Sequence, residues 1–243
     1  MEFEGSAGTN ASDLAALSQS DDARFDGQDV FLRLGSGESI TLNSISLENN
    51  ARLYFELERS AELPSTEDAS VTVLTLLDQS TVSRGSIFYF GGEASASTNS
   101  ENSVQLLLGA PLTVHGIFAL GDASSVSASE SGTGKVVVVG DSGYAYDGWL
   151  LGDITLNAEL EISRGATLYW ATQGFNSETV SVSGTGLISN YGDFQLNIGT
   201  GSLGVDVVNT GSMTFFFSNI NITNFKSISI WMFFCFYNFC YFK

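Results

Sequence analysis

The chain contains a single histidine, His115, and its two cysteines, Cys235 and Cys240, both fall at the extreme carboxyl end. A two-histidine metal site, a metalloprotease motif, a four-ligand zinc site and a disulfide framework are thereby excluded from the body, so the fold has to stand on packing and backbone hydrogen bonds. Basic residues are equally scarce: nine Lys and Arg face 27 Asp and Glu, for a net charge of −18, and only 15% of residues are charged. Nucleic-acid binders displace counterions with clustered Lys and Arg, which this sequence lacks, and the same balance repels anionic lipid. Nucleic acid is excluded as a partner and no membrane association is expected; the acid excess first of all confers solubility and resistance to self-association. There are only two prolines, Pro64 and Pro111, so strands keep their N–H donors and ladders can run unbroken. Helical periodicity is nearly absent. The amino end is acidic and has neither the basic segment nor the apolar run of a secretory signal.

What is present is alternation. From Ile154 to Trp170, apolar side chains occupy nearly every even position around an Arg164-Gly165 corner, the period of two that marks strands and reads as a bent strand pair. Leu74 to Phe90 carries the same design 80 residues earlier, with Ser83-Arg84-Gly85 matching Ser163-Arg164-Gly165, and Ile40 to Phe55 is a looser copy. Short apolar runs continue to about Gly211, separated by Gly, Ser, Asn and Asp clusters such as Gly140-Asp141-Ser142-Gly143, whose residues reach positive φ or bond their own backbone. With 43% hydrophobic residues, the chain has enough material for a continuous core.

The most regular stretch is Ser189-Asn190-Tyr191-Gly192 followed by a strand, repeated nineteen residues later as Val208-Asn209-Thr210-Gly211. Asn at one corner of successive coils can stack and bond its neighbour's backbone, and the Gly two residues on supplies a conformation barred to other residues. On these residues the chain resembles the right-handed parallel β-helix of surface adhesins, haemagglutinin-like and autotransporter-passenger-like, and more broadly the pectin-lyase-like fold, over about residues 36–215. The expected fold is therefore an all-β right-handed parallel β-helix, a stack of coils. Uneven spacing of the corners Gly85, Gly116, Gly165 and Gly192 predicts loops inserted between coils and leaves an antiparallel β-sandwich as the alternative.

Three segments are expected. Residues 1–35, polar and acidic, read as a lead-in or an end cap, with a short helix over Ser12–Leu17 and an Asn10 glycosylation triplet; residues 36–213 form the solenoid. Residues 214–243 are rich in Phe and include a second triplet at Asn221. An aromatic cap strand and sequence that is not native protein are the two readings they admit, since the apolar run Ile228–Phe242 is short of a membrane span.

Candidate chemistry is sparse. His115, between Val114 and Gly116, reads as a structural corner residue. No G-x-S-x-G turn presents a nucleophile, and Gly134-Lys135 lacks the remainder of a phosphate loop. Asp141, Asp147, Asp153, Glu159 and Glu161 are dense enough for paired-carboxylate chemistry, though solvated outward positions explain them more simply. The resemblance implies, as the alternative function, a polysaccharide lyase or glycoside hydrolase, but the Gly-His-Gly and Arg-x-Lys groups of polygalacturonase-like enzymes are missing. Arg84 and Arg164, each beside a corner glycine, read as structural. Tyr144, Tyr146 and Trp149 cluster on one stretch and could stack on a sugar ring, with Asp141 and Asp147 beside them. Calcium, held weakly by those two carboxylates, is the only cofactor the residues admit. The expected function is a non-catalytic structural or adhesive solenoid, extracellular or at the cell surface, a fragment of a larger exported protein with carbohydrate or cell-surface ligands.

Overall fold

The computed structural model describes residues 22–34, 37–57, 71–91, 103–130, 132–171, 179–216, 219–227, 232–236 and 239–242. The Asn10 triplet and the Ser12–Leu17 helix lie outside them. The chain is a right-handed parallel β-helix whose coils each give one strand to each of three faces. The first face stacks Asp22–Asp26, Ser44–Glu48, Ser80–Val82, Leu112–Val114, Lys135–Val138, Glu159–Ile162 and Leu187–Asn190. On the second lie Asp29–Leu34, Arg52–Leu57, Ile87–Phe90, Ile117–Leu120, Gly148–Leu151, Thr167–Ala171, Asp193–Asn197 and Ser212–Phe216. The third carries Ser39–Leu42, Val71–Leu76, Ser103–Leu108, Ser124–Ala128, Ile154–Asn157 and Thr179–Ser183. The long strand Thr200–Asn209 pairs with Thr179–Ser183 through its first half and with Leu187–Asn190 through its second, so there the third face runs into the first without a break.

Among the described residues every pairing is parallel except the last, Met232–Phe236 with Phe239–Phe242, which overturns the antiparallel sandwich. Alternation alone does not separate the two folds. What separates them is that each strand pairs across a whole coil, with the strand three positions on up to Thr179–Ser183 and two positions on after the long strand merges two faces.

The repeated stretch is more than a bent pair. Ile154–Asn157, Glu159–Ile162 and Thr167–Ala171 lie on three different faces, so it wraps a full turn, and Leu74 to Phe90 occupies the same three positions earlier in the stack. Its even residues point inward as the alternation predicts: Ile154, Leu156, Ala158, Leu160, Ile162, Ala166, Leu168 and Trp170 are all buried. Inward columns stack like on like. Phe55 lies on Phe90 with ring centroids 4.8 Å apart, and Phe88 meets Phe118 at 6.0 Å. Gly85 and Gly165 have φ of 81° and 88°, which gives the repeated corner a physical reason: the chain turns there through the left-handed region that L side chains avoid.

The first described coil begins at Asp22, inside the stretch assigned to the lead-in. Only Ala23 and Phe25 point inward from Asp22–Asp26, so its alternation is hidden among charged outward residues. Coil lengths vary from 18 residues, Asn209 to Ser227, to 35, Ser46 to Thr81. Much of the extra length enters between the second and third faces, where residues 58–70, 92–102 and 172–178 lie. At the other end Asn219–Ser227 stacks on Thr200–Asn209, and Met232–Phe236 extends the second face. No described helix is long and apolar enough to cross a membrane.

The asparagine corner forms as its repeat predicts. Asn190 and Asn209 are buried; Asn190 Nδ2 donates to Asn209 Oδ1 at 2.6 Å and to the Ser212 carbonyl at 2.7 Å, while its Oδ1 accepts from Gly192 N at 3.1 Å. The reason for the following glycine differs from the expected one. Neither Gly192 nor Gly211 has positive φ; instead the preceding coil passes so close that a β-carbon at Gly192 would lie 2.5 Å from the Ser163 carbonyl oxygen.

Candidate functional site

Between Lys135–Val138 and Gly148–Leu151 the chain makes a surface excursion at the corner where neighbouring coils turn within two to four residues. Gly140 packs against the Gly165 backbone and Gly143 turns at φ 84°, so these two glycines let the loop leave the coil and return. Asp147 staples it down. Its carboxylate is buried and accepts from Ser142 N at 3.1 Å through Oδ1 and from Thr167 N, on the next coil, at 2.8 Å through Oδ2. Asp141 faces the other way and places both oxygens on His115 Nδ1, at 3.1 and 3.2 Å. The corner histidine thus ties the loop to the coil beneath it.

The loop also turns Tyr146 back onto the second face. Its ring centroid lies 4.9 Å from that of Trp149 and 4.7 Å from that of Tyr169; Trp149 and Tyr169 meet edge to face at 5.0 Å. Tyr169, whose hydroxyl is engaged by Asn197 Nδ2, was not among the residues picked out from the sequence. It is an outward residue of the repeated stretch, and its register opposite Trp149 is the signal that would have found it. Tyr144 is half exposed and makes no ring contact among the described residues; it borders a shallow groove of about 360 Å³ together with Arg84, Asp141 and Asp147.

Of the five residues expected to bind a ligand, Tyr146 and Trp149 come together, Tyr144 and Asp141 lie beside them, and Asp147 is committed to backbone amides. The other acids are dispersed. Asp153, at the corner between the second and third faces, accepts from Ser181 N at 2.6 Å, while its own amide donates to Asp122 Oδ1 at 2.8 Å. Glu159 accepts from Ser189 Oγ at 2.6 Å and Glu161 from Lys135 Nζ at 2.7 Å, both on the first face. Among the described residues no three His, Cys, Asp or Glu side chains are grouped to hold a metal.

Cross-coil pairing also perturbs charges along the first face. The Glu161 carboxylate raises the Lys135 ammonium above its ordinary 10.5, and hydrogen bonds from Arg24 and then Ser46 hold Glu48 below its ordinary 4.5. Glu48 therefore contributes stability that is present above 4.5 and lost as pH falls through its lowered value. Lys135 contributes stability that is present below 10.5 and lost as pH rises through its raised value. Both pairs are partly exposed, so each arm amounts to about 0–1 kcal/mol. A urea midpoint followed against pH should fall at both extremes, and Lys135→Met should flatten the alkaline fall alone.

No family model, no curated protein and no solved structure matches the chain.

Proposed function

We propose that the chain is a non-catalytic structural or adhesive solenoid of an exported surface protein, of the adhesin kind, and that its role lies in what the stacked coils display. One observation carries this reading: the acids are used to join coils. Asp122, Asp147, Asp153, Glu159, Glu161 and Asp193 each bond a residue of an adjacent coil. Glycan-cleaving β-helices need the reverse, two carboxylates converging in one groove with a free acid and a free base or nucleophile. In the groove beside Tyr144 the two acids come from one loop, and one of them has both oxygens on backbone amides. Cross-coil bonds of this kind stiffen a rod, because each coil touches only its neighbours and every interface must hold by itself.

The test is incubation with neutral and acidic polysaccharides, followed by assay for reducing ends and unsaturated products. No release above buffer is expected. Release that disappears in Asp141→Asn or Glu159→Gln overturns the reading in favour of the lyase or hydrolase.

A further inference from the structure

The second face carries an outward stripe of rings in register: Phe31 opposite Tyr54, Tyr54 opposite Tyr89, then Ala119, Trp149 and Tyr169. Phe31 and Tyr54 stack face to face with centroids 4.7 Å apart, so they present their edges outward. Tyr89 differs. Its phenol end lies over Gly91 and Gly121, on its own coil and the next, where a β-carbon at Gly91 would come within 3.0 Å of the hydroxyl and one at Gly121 would collide with it. The ring therefore reclines along the strand on a glycine bed, with Ala119 between it and the Trp149, Tyr169 and Tyr146 cluster.

Charge sets this stretch apart. In the four coils from Ile87–Phe90 to Thr167–Ala171, no outward strand position of the second face is charged. The positions are filled by residues such as Ile87, Ala119, Leu151 and the three rings Tyr89, Trp149 and Tyr169, although the chain as a whole carries −18. Beyond it the charges return, as the Asp29–Arg52 pair on one side and Asp193 on the other. At about 4.8 Å per strand the uncharged length spans about 14 Å along the axis.

Resting on the non-catalytic reading above, we propose that this stripe binds an uncharged, extended polysaccharide lying along the solenoid axis. A pyranose offers an apolar C–H face to an aromatic ring and hydroxyls to hydrogen-bonding groups at its rim, and rings on three of the four uncharged coils, with the small Ala119 between Tyr89 and Trp149, set that offer along a line. A neutral chain meets no Coulomb penalty from −18 of protein charge. A sulfated or uronate polymer, an anionic bilayer or a second copy of this chain does.

Affinity electrophoresis of the full chain through gels containing hydroxyethyl cellulose, galactomannan or a soluble β-1,3-glucan tests the proposal, with polygalacturonate as the charged comparator. Retardation in at least one neutral gel and none in polygalacturonate is expected. Trp149→Ala should weaken that retardation at least tenfold. Leu151→Glu, which sets a hydrated carboxylate where the sugar must displace water and opens no cavity, should do the same and decides the matter if Trp149→Ala loses its far-UV strand signal. Tyr191→Ala, an exposed aromatic away from the stripe, should leave it unchanged. The proposal is overturned if no neutral gel retards the wild type, if polygalacturonate retards it equally, or if Leu151→Glu migrates like wild type. Failure here leaves the non-catalytic solenoid standing, whereas release of sugar products would sink that reading and leave the ligand.

Discussion

Replacing Trp170 by Ala should cost about 3–5 kcal/mol, the range for truncating a large buried aromatic. Trp170 is fully buried, the largest of the enclosed side chains, and stands in an inward column between Leu150 and Leu196. Because each coil supports the next, the cavity weakens the interfaces on both sides of it. For a chain of this size that is a fall of about 10–15 °C in melting temperature if unfolding stays cooperative. Trp170→Phe sharpens the test. The indole Nε1 has no acceptor among the described residues, so Phe loses some volume but also removes a buried donor whose desolvation costs about 1–3 kcal/mol. Phe should therefore behave nearly like Trp and far better than Ala. Guanidinium midpoints for the three proteins decide the point, and a midpoint for Ala equal to that of wild type would place the ring outside the core.

Asn190→Leu should be nearly as damaging for the opposite reason. Leucine fits the volume and continues the apolar column that ends at Ile162, but it leaves Gly192 N, the Ser212 carbonyl and Asn209 Oδ1 without the partner that Asn190 supplies. At about 1–3 kcal/mol for a buried group left unpaired, a total loss on the order of 3 kcal/mol follows. The double variant Asn190→Leu with Asn209→Leu should cost less than the sum of the two single changes, since the bond between the two side chains is then lost once rather than counted twice. Strict additivity in a denaturation series would show that the two side chains act independently and that the corner is held by backbone alone.

Much of the architecture was legible because it is local. The inward set of the repeated stretch, Ile154 through Trp170, follows from a period of two, since successive side chains on a strand must point to opposite sides. Asn190 and Asn209 were legible because nineteen residues with no insertion bring one corner back over itself. The aromatic site was half legible. Tyr146 and Trp149 are three residues apart and could be grouped by eye, but Tyr169 joins them only through the pairing of adjacent coils. Asp147 shows the opposite failure: among outward-looking acids of one loop, nothing local marks the one that turns inward to receive two amides.

The sequence by itself determined that the chain would be strands and corners with a buried alternating face, and that its body, with both cysteines at the carboxyl end, would hold no disulfide. Only the tertiary structure decided which residues are neighbours from coil to coil, that pairing is parallel, that the acids bond across coils, and that one uncharged aromatic stripe runs along the second face. Direction of a side chain is fixed by the dihedral angles next to it. Adjacency between coils depends on how many residues each turn consumes, and here that number ranges from 18 to 35 because insertions between the second and third faces change the length of a coil without changing the pattern of its strands.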